Sequence, residues 1–260
     1  MIKEYFSKLV HHWKLLLKDR AYVLSFLVGL LVLFGSLVLN GLASVYNDAA
    51  IYAPVGDLIL DDLPTYNLEF LFTWGFYLII TSIVCYPLFF KPEIVPFVLK
   101  TFGILLVVRS AFIVLTHFGP PEGFFYSDEI MGNGFIESTA IFRFRNDLFF
   151  SGHTSAPFLA FLLFRKSLFR WLMLVASFLM GATVLLMHVH YSIDVFAAFF
   201  IAYGVYAFSD NVFNNLNLRF KNRIKIHGWQ AFQKRIQRMR ERRALSKSGK
   251  VKKKNVVGVA

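Results

Sequence analysis

Two short polar stretches interrupt the apolar sequence, and both carry side chains that can do acid–base or nucleophilic chemistry. They are Ser151-Gly152-His153-Thr154 and His188-Val189-His190-Tyr191-Ser192-Ile193-Asp194. Each lies at the start of a hydrophobic run, where ionisable groups are costly in a membrane and are usually functional. We therefore treat the two stretches as a candidate active site.

The spacing of the ionisable residues suggests what this chemistry is. His190 and Asp194 are four residues apart, so on a helix they share a face and the carboxylate can fix the imidazole tautomer. A histidine oriented in this way is an activated nucleophile or a general base. His153 follows Ser151 and Gly152 at a predicted helix start, where backbone N–H groups and the helix dipole favour an anion. The pattern predicts two histidines on either side of a phosphate.

A bound phosphate also needs fixed positive charge, and three arginines are candidates for supplying it. Arg109 lies in an apolar run about two turns before its end, where an arginine costs a few kcal/mol unless it is paired or solvated. Arg143 and Arg145 lie just before the apolar run Leu148 to Phe164 and can offer planar donors to phosphate oxygens. A structural role for Arg109, paired with Asp194 or Glu69 or extended to the membrane surface, is the alternative.

The composition is that of an integral membrane protein, with 57% hydrophobic residues, 18% aromatic residues and a mean hydropathy of +0.55 over 260 residues. We predict an all-α bundle of six transmembrane helices, because six apolar runs are about long enough to cross roughly 30 Å of hydrocarbon. The six predicted spans are Ala21 to Leu42, Leu68 to Phe90, Ile94 to Phe118, Leu148 to Phe164, Leu168 to Met187 and Tyr191 to Phe208.

The distribution of charge predicts the orientation of this bundle. Basic residues gather before the first run, between the second and third, between the fourth and fifth, and in the tail, whereas the remaining loops are acidic. The positive-inside rule then puts both termini in the cytoplasm and both histidine stretches on the extracytoplasmic face. We divide the chain into a cytoplasmic segment 1–20, a membrane catalytic domain 21–210 and a basic cytoplasmic tail 211–260.

The tail accounts for the net charge of +12, with fifteen basic residues and one acid after Leu218. Its pattern predicts a basic amphipathic helix on anionic membrane lipids or, alternatively, a solvated positive anchor. Nucleic-acid binding is not expected, because the tail has charge but no recognisable nucleic-acid-binding fold. We expect disorder after Leu245. Cys85 is the single cysteine, which excludes an intramolecular disulfide and zinc sites built from paired cysteines.

At this point the motifs resemble a known family. Asn146-Asp147-Leu148-Phe149-Phe150-Ser151-Gly152-His153-Thr154 and His190-Tyr191-Ser192-Ile193-Asp194-Val195 are similar to the two signature blocks of the sphingomyelin synthase family, a branch of the type 2 phosphatidic acid phosphatase (PAP2) superfamily. Arg109 followed by Thr116-His117-Phe118-Gly119-Pro120-Pro121 is also similar. The likeness covers roughly Leu63 to Phe208.

The resemblance implies transfer of a phospho-head group from a phospholipid donor to a lipid alcohol acceptor, with neither metal nor cofactor. His190 would attack phosphorus, Asp194 would orient it, and His153 would protonate the departing lipid alkoxide. The superfamily's phosphatases usually carry a lysine and an arginine-proline pair that are absent here. Arg109 stands where the lysine is expected, with Thr116 seven residues on. This difference favours the synthase branch.

Three other interpretations remain open from the sequence. A lipid phosphate phosphatase would use water as the acceptor and release phosphate. A non-enzymatic membrane module could reuse the same helices. A metal site at His188 and His190 is less favoured, since the two rings diverge on a helix. We expect His188 and His117 to be structural residues.

Overall fold

The computed structural model describes residues 2–49, 52–125 and 148–256, and this part of the chain contains helices and loops but no strands. A π-helical turn (Leu71–Gly75) leads into α3 and a 3-10 turn (Pro92–Ile94) leads into α4. The α-helices are α1 (Ile2–Leu17), α2 (Arg20–Asp48), α3 (Phe76–Phe90), α4 (Val95–Leu115), α5 (Gly152–Leu163), α6 (Phe169–Leu186) and α7 (Ser192–Val256).

Five helical segments in the described ranges are long and apolar enough to cross a membrane. The all-helical, multi-pass character predicted from composition is thereby confirmed. The segments are Arg20–Asp48, Leu71–Phe90, Pro92–Leu115, Phe169–Leu186 and Ser192–Phe213. The fourth predicted span corresponds to α5, which has 12 residues. At 1.5 Å per residue it is about 18 Å long, shorter than the hydrocarbon layer.

The short helix α5 is enclosed by its neighbours. Leu159 and Ala160 are fully buried, Leu159 in a cluster with residues of α4 and α7, and Ala160 in a cluster with residues of α3, α4 and α6. Beyond the end of α5, the Phe164 ring lies 4.8 Å from that of Tyr86 near the end of α3. A helix covered by protein need not match the lipid thickness, because its ends meet protein groups.

Small residues set the close packing of α2 against α4. A Cβ added at Gly103 would lie 2.7 Å from the Val32 side chain and 3.1 Å from its backbone, so a larger residue cannot fit. Gly29 meets Leu99 in the same way, at 3.0 Å. Close approach at glycine is a common way of packing helices in a membrane, because apolar side chains gain little by exchanging lipid contacts for protein contacts. The pairing holds α2 against the helix that carries Arg109.

Two loops, residues 52–67 and 116–125, come together where α7 begins. The Gly119 amide donates to the Ala53 carbonyl at 3.1 Å. The Tyr191 hydroxyl donates to the Gly119 carbonyl at 2.8 Å and accepts from the Val55 amide at 3.0 Å. We call these two segments the site-end loops, because they lie against the residues that lead into α7.

At the opposite end, α7 continues well past its apolar part. It is helical through Val256, so the disorder expected after Leu245 is not found. Asp19, between α1 and α2, is buried and forms an ion pair with Arg223 of α7, with Arg219 4.0 Å away. The first turns of the basic tail are therefore fixed to the start of the membrane domain.

Candidate active site

His190 and Asp194 form a hydrogen-bonded pair at the beginning of α7. His190 Nδ1 lies 3.3 Å from Asp194 Oδ2, and both residues are buried. The helix begins at Ser192 and not at His190, so the pair spans the entry into the helix. With the carboxylate as acceptor, Nδ1 carries the proton and Nε2 is left as the basic nitrogen.

A capping interaction fixes the position of the Asp194 carboxylate. Asp194 is the third helical residue, and its Oδ2 accepts the Tyr191 backbone N–H at 2.9 Å, which is the acidic half of a capping box. The other oxygen, Oδ1, is buried and has no hydrogen-bond partner among the described residues. His190 and Tyr191 therefore provide the described hydrogen bonds to this carboxylate, and the helix start itself aims it at the imidazole.

A backbone hydrogen bond joins the two histidine stretches. The Ser151 amide donates to the Asp194 carbonyl at 3.2 Å, although the residues are far apart in sequence. Ser151 is fully buried and immediately precedes α5, but its side chain makes no capping hydrogen bond to that helix. Thr154 Oγ1 donates instead to Ser151 Oγ at 3.3 Å. The start of α5 is thus held against the start of α7.

Two phenylalanine rings hold His153 in the first turn of α5. The rings of Phe72 and Phe76 each lie 4.1 Å from the imidazole centroid, at interplanar angles of 23° and 35°. Phe72 belongs to the π-helical turn and Phe76 begins α3. His153 directly follows Gly152, which lies beside Arg109 Nε, and the preceding Ser151 is hydrogen-bonded to Asp194. The structure therefore places the segment that carries His153 next to Arg109 and to the start of α7.

Arg109 is buried beside the same helix starts. Its Nε donates to the Phe150 carbonyl at 3.0 Å and its Nη1 donates to Asn40 Oδ1 at 3.3 Å. A Cβ added at Gly152 would lie 3.6 Å from Arg109 Nε, which places the guanidinium next to the start of α5. The described hydrogen-bond acceptors of Arg109 are a backbone carbonyl and a side-chain amide.

Several neighbours of the site were not anticipated from the sequence. Asn40 is a polar residue near the end of the first predicted span, and its position in an apolar run was a signal for a buried polar contact. Phe72 and Phe76 carried no such signal, because the chain has 31 phenylalanines. The predicted ligands Arg143 and Arg145 lie outside the described residues.

His188 performs a structural task, as we expected. Its Nδ1 lies 2.8 Å from the Glu122 carbonyl and its Nε2 lies 3.1 Å from the Leu63 carbonyl, one in each site-end loop. Both ring nitrogens are thereby directed to backbone oxygens and not to a ligand shared with His190. Among the described residues no group of three or more His, Cys, Asp or Glu side chains is arranged to hold a metal ion.

Asp57 attaches a site-end loop to the start of α7. Its carboxylate accepts the Ser192 backbone N–H at 2.6 Å and the Ser192 hydroxyl at 2.9 Å. Burial by itself would raise the pKa of Asp57, but hydrogen bonds from Ser192, Leu60 and Ile59 lower the pKa below its ordinary value. The carboxylate is therefore held in its charged form next to the positive end of α7.

The fold and the site together define a multi-pass membrane protein with a histidine–aspartate pair, a second histidine and an arginine around two helix starts. A family model described as PAP2 superfamily C-terminal matches residues 146–211, the part that contains both histidine stretches. This match supports the PAP2 resemblance and, with it, an enzyme of the lipid phosphatase or phosphotransferase type. No curated protein and no solved structure matches the chain significantly.

Proposed function

We propose that the protein is a membrane phosphotransferase of the sphingomyelin synthase kind, which moves a phospho-head group from a phospholipid to a lipid alcohol. The observation that carries the proposal is the hydrogen bond from the Ser151 amide to the Asp194 carbonyl, because it brings the two histidine stretches to one place. The PAP2 match gives independent support for phosphate-ester chemistry at the same residues.

The first step breaks the ester bond of the donor lipid. His190 Nε2 attacks phosphorus, a P–N bond forms, and the P–O bond to the diacylglycerol oxygen breaks. His153 donates a proton to the departing alkoxide, so that the product leaves as an alcohol. Asp194 accepts the Nδ1 hydrogen of His190 and stabilises the positive charge that develops on the ring.

The second step regenerates the enzyme. The hydroxyl of the acceptor loses its proton to His153 and attacks phosphorus, and the P–N bond breaks to return His190 to its neutral form. With a lipid alcohol such as ceramide or diacylglycerol the reaction is a head-group transfer. With a phosphomonoester lipid as donor and water as acceptor, the same chemistry releases phosphate and makes the protein a phosphatase, so donor and acceptor together separate the two activities.

The phosphate charge is met by groups at the start of α5. Arg109 supplies fixed positive charge beside Gly152, and the first-turn amides of α5 are donors that Ser151 does not cap. We retain Arg143 and Arg145 as further phosphate ligands. In this mechanism every proton and charge is handled by side chains and amides, and no metal or cofactor takes part.

We also propose six membrane passes, with α5 as the fourth, both termini in the cytoplasm and the site open to the extracytoplasmic face. The distribution of basic residues supports this orientation. The course of α5 supports counting this short helix as a pass. It begins beside Arg109 and is followed by Phe164, which contacts Tyr86 at the opposite end of the bundle. The basic tail would then lie on anionic lipids of the inner leaflet.

The activity is tested with purified protein in mixed micelles. Head-group-labelled phosphatidylcholine and phosphatidylethanolamine are the donors, and ceramide, diacylglycerol or no added alcohol are the acceptor arms. We expect a new head-grouped lipid, with rates at least about 100-fold lower in His190→Ala and His153→Ala, since each removes nucleophilic or acid–base catalysis. His117→Ala is the matched control, because it removes an exposed imidazole in a site-end loop.

Two outcomes would overturn the assignment. Unchanged transfer by His190→Ala would rule out the nucleophile. Release of inorganic phosphate from phosphatidic acid at a rate independent of added alcohol, with no head-group transfer, would make the protein a phosphatase.

For topology, single cysteines at Asp62 and Lys166 in a Cys85→Ser background are labelled on intact cells with an impermeant maleimide. Labelling of Asp62→Cys alone is expected, and the reverse pattern would invert the orientation.

A further inference from the structure

Helix α1 carries an exposed apolar stripe that no described residue covers. Phe6, Val10 and Leu17 are 49%, 49% and 53% exposed. At about 100° per residue, the three side chains lie within about 40° of one another around the helix. Aligned apolar side chains on one strip of a helix indicate a surface that is covered by something apolar.

The adjacent face of α1 is already in contact with the protein. Leu9 and Leu16 are buried, and Leu16 packs in a small cluster with Tyr22 and Phe220. Trp13, which is partly buried, lies between this face and the stripe. The centre of the apolar stripe lies about 90° further around the helix axis than Leu9 and Leu16.

Two hydrogen bonds fix α1 to the end of α3. Trp13 Nε1 donates to the Leu88 carbonyl at 3.1 Å, and the Tyr5 hydroxyl donates to the Phe89 carbonyl at 2.7 Å. These carbonyls belong to the last turn of α3, which ends at Phe90, and carbonyls there have no partner within the helix. In lipid such groups must be satisfied by protein, and α1 satisfies them.

The ends of three membrane segments define the level at which α1 lies. α3 ends at Phe90, the segment containing α4 begins at Pro92, and α2 begins at Arg20 directly after α1. Asp19 has an extended backbone, with ψ of 110°, so α1 and α2 are separate helices. Along its length α1 contacts the end of α3 through Tyr5 and packs with Phe220 of α7 through Leu16. Helix α1 therefore lies across one end of the bundle.

The charges next to the stripe indicate what covers it. Lys14 is exposed and lies about 40° beyond Val10, on the side away from the protein contact, and Lys18 is exposed in the turn that follows α1. An apolar strip bordered by lysines is complementary to an anionic lipid surface, with acyl chains below and phosphates above. A second copy of the chain in a twofold arrangement would bring these lysines close to one another.

We propose that α1 lies in the head-group layer of one leaflet, with Phe6, Val10 and Leu17 inserted among acyl chains and Lys14 and Lys18 among the phosphates of anionic phospholipids. This inference does not depend on the enzymatic activity. It makes α1 a membrane-surface element that is attached to the end of α3 and precedes the start of α2.

The test measures the depth of single positions in the full chain. In a Cys85→Ser background, Val10→Cys and Phe6→Cys report the stripe. Lys8→Cys and His11→Cys, at exposed positions about 180° and 120° from the centre of the stripe, report the side turned away from it. Each variant is labelled with bimane in nanodiscs of phosphatidylcholine with and without phosphatidylserine. We expect spin-labelled lipids to quench the two stripe positions at least about threefold more than the two controls, and iodide to show the opposite order.

Two results would overturn the inference. One is equal iodide quenching at all four positions. The other is cross-linking of Val10→Cys between chains by a short bismaleimide, which would assign the stripe to a second copy. Photo-cross-linking of the unsubstituted chain with a diazirine phosphatidylserine needs no substitution in α1. Adducts within residues 5–18 are expected, and their absence counts against the proposal.

Discussion

Replacement of Asp57 tests how the site-end loops are attached to α7. The side chain is 8% exposed, and its oxygens accept four hydrogen bonds. Two come from Ser192, at 2.6 Å from the amide and 2.9 Å from the hydroxyl. The others come from the Ile59 and Leu60 amides, at 3.0 and 3.1 Å, within its own loop. Asp57→Ala removes all four acceptor contacts.

The magnitude follows from the two bonds that cross to α7. Hydrogen bonds to a charged group contribute about 1.5 kcal/mol or more each, and an acid at a helix N-terminus adds about 0.5 kcal/mol. We therefore expect Asp57→Ala to lower the free energy of unfolding by about 3.5 kcal/mol. Asp57→Asn keeps one acceptor oxygen but loses the charge, and we expect about half that loss.

The effect should depend on pH in one direction. The pKa of Asp57 is lowered in the folded protein, so its charged form stabilises the fold. That contribution is complete above the unfolded pKa of about 4 and is lost as the pH falls through the folded pKa. The difference between wild type and Asp57→Asn should therefore be constant from about pH 6 to pH 8 and shrink below about pH 4.

The assay is thermal unfolding of detergent-solubilised protein, followed by tryptophan fluorescence across this pH range. Asp62→Asn is the matched control, because Asp62 is an exposed acid of the same loop and its replacement removes the same charge. An Asp57→Ala variant as stable as Asp62→Asn would refute the reasoning. A difference between wild type and Asp57→Asn that stayed constant down to pH 3 would contradict the pKa argument.

Two further predictions concern close contacts around the site. A Cβ at Gly119 would lie 2.1 Å from the Tyr52 carbonyl oxygen, so Gly119→Ala must separate the loops and should lower the thermal midpoint by several degrees; Gly35→Ala, which meets nothing within 4 Å, should not. Asn40→Leu removes an acceptor of Arg109 and should reduce kcat/KM for the phospholipid donor about 10-fold, or about 1.4 kcal/mol. Asn40→Asp should restore it, and equal losses in both variants would exclude positioning of the arginine.

The core of the site was predictable because its signals are local. The four-residue spacing of His190 and Asp194 was enough to anticipate their contact. The exact start of α7 could not be predicted, because it is set at Ser192, whose backbone N–H donates to Asp57 from a distant loop. Apolar runs are likewise properties of short segments, and they predicted the all-helical membrane class correctly.

Features that depend on packing between segments were beyond the reach of the sequence. The run around α5 predicted a short span, Leu148 to Phe164, and the helix is shorter still, with 12 residues, and is enclosed by other helices. The stacking of Phe72 and Phe76 on His153 depends on how α3 lies against α5, which hydropathy does not encode. Asn40 reaches Arg109 only because glycines bring α2 and α4 together.

The backbone hydrogen bond between Ser151 and Asp194 has a consequence for how this scaffold can change. Its donor and acceptor are main-chain atoms, which almost any residue at either position would provide. Reactive side chains can therefore be exchanged, one at a time, while the two halves of the centre stay aligned. Related sequences could therefore differ in their reactive side chains and still keep the same backbone arrangement at the site.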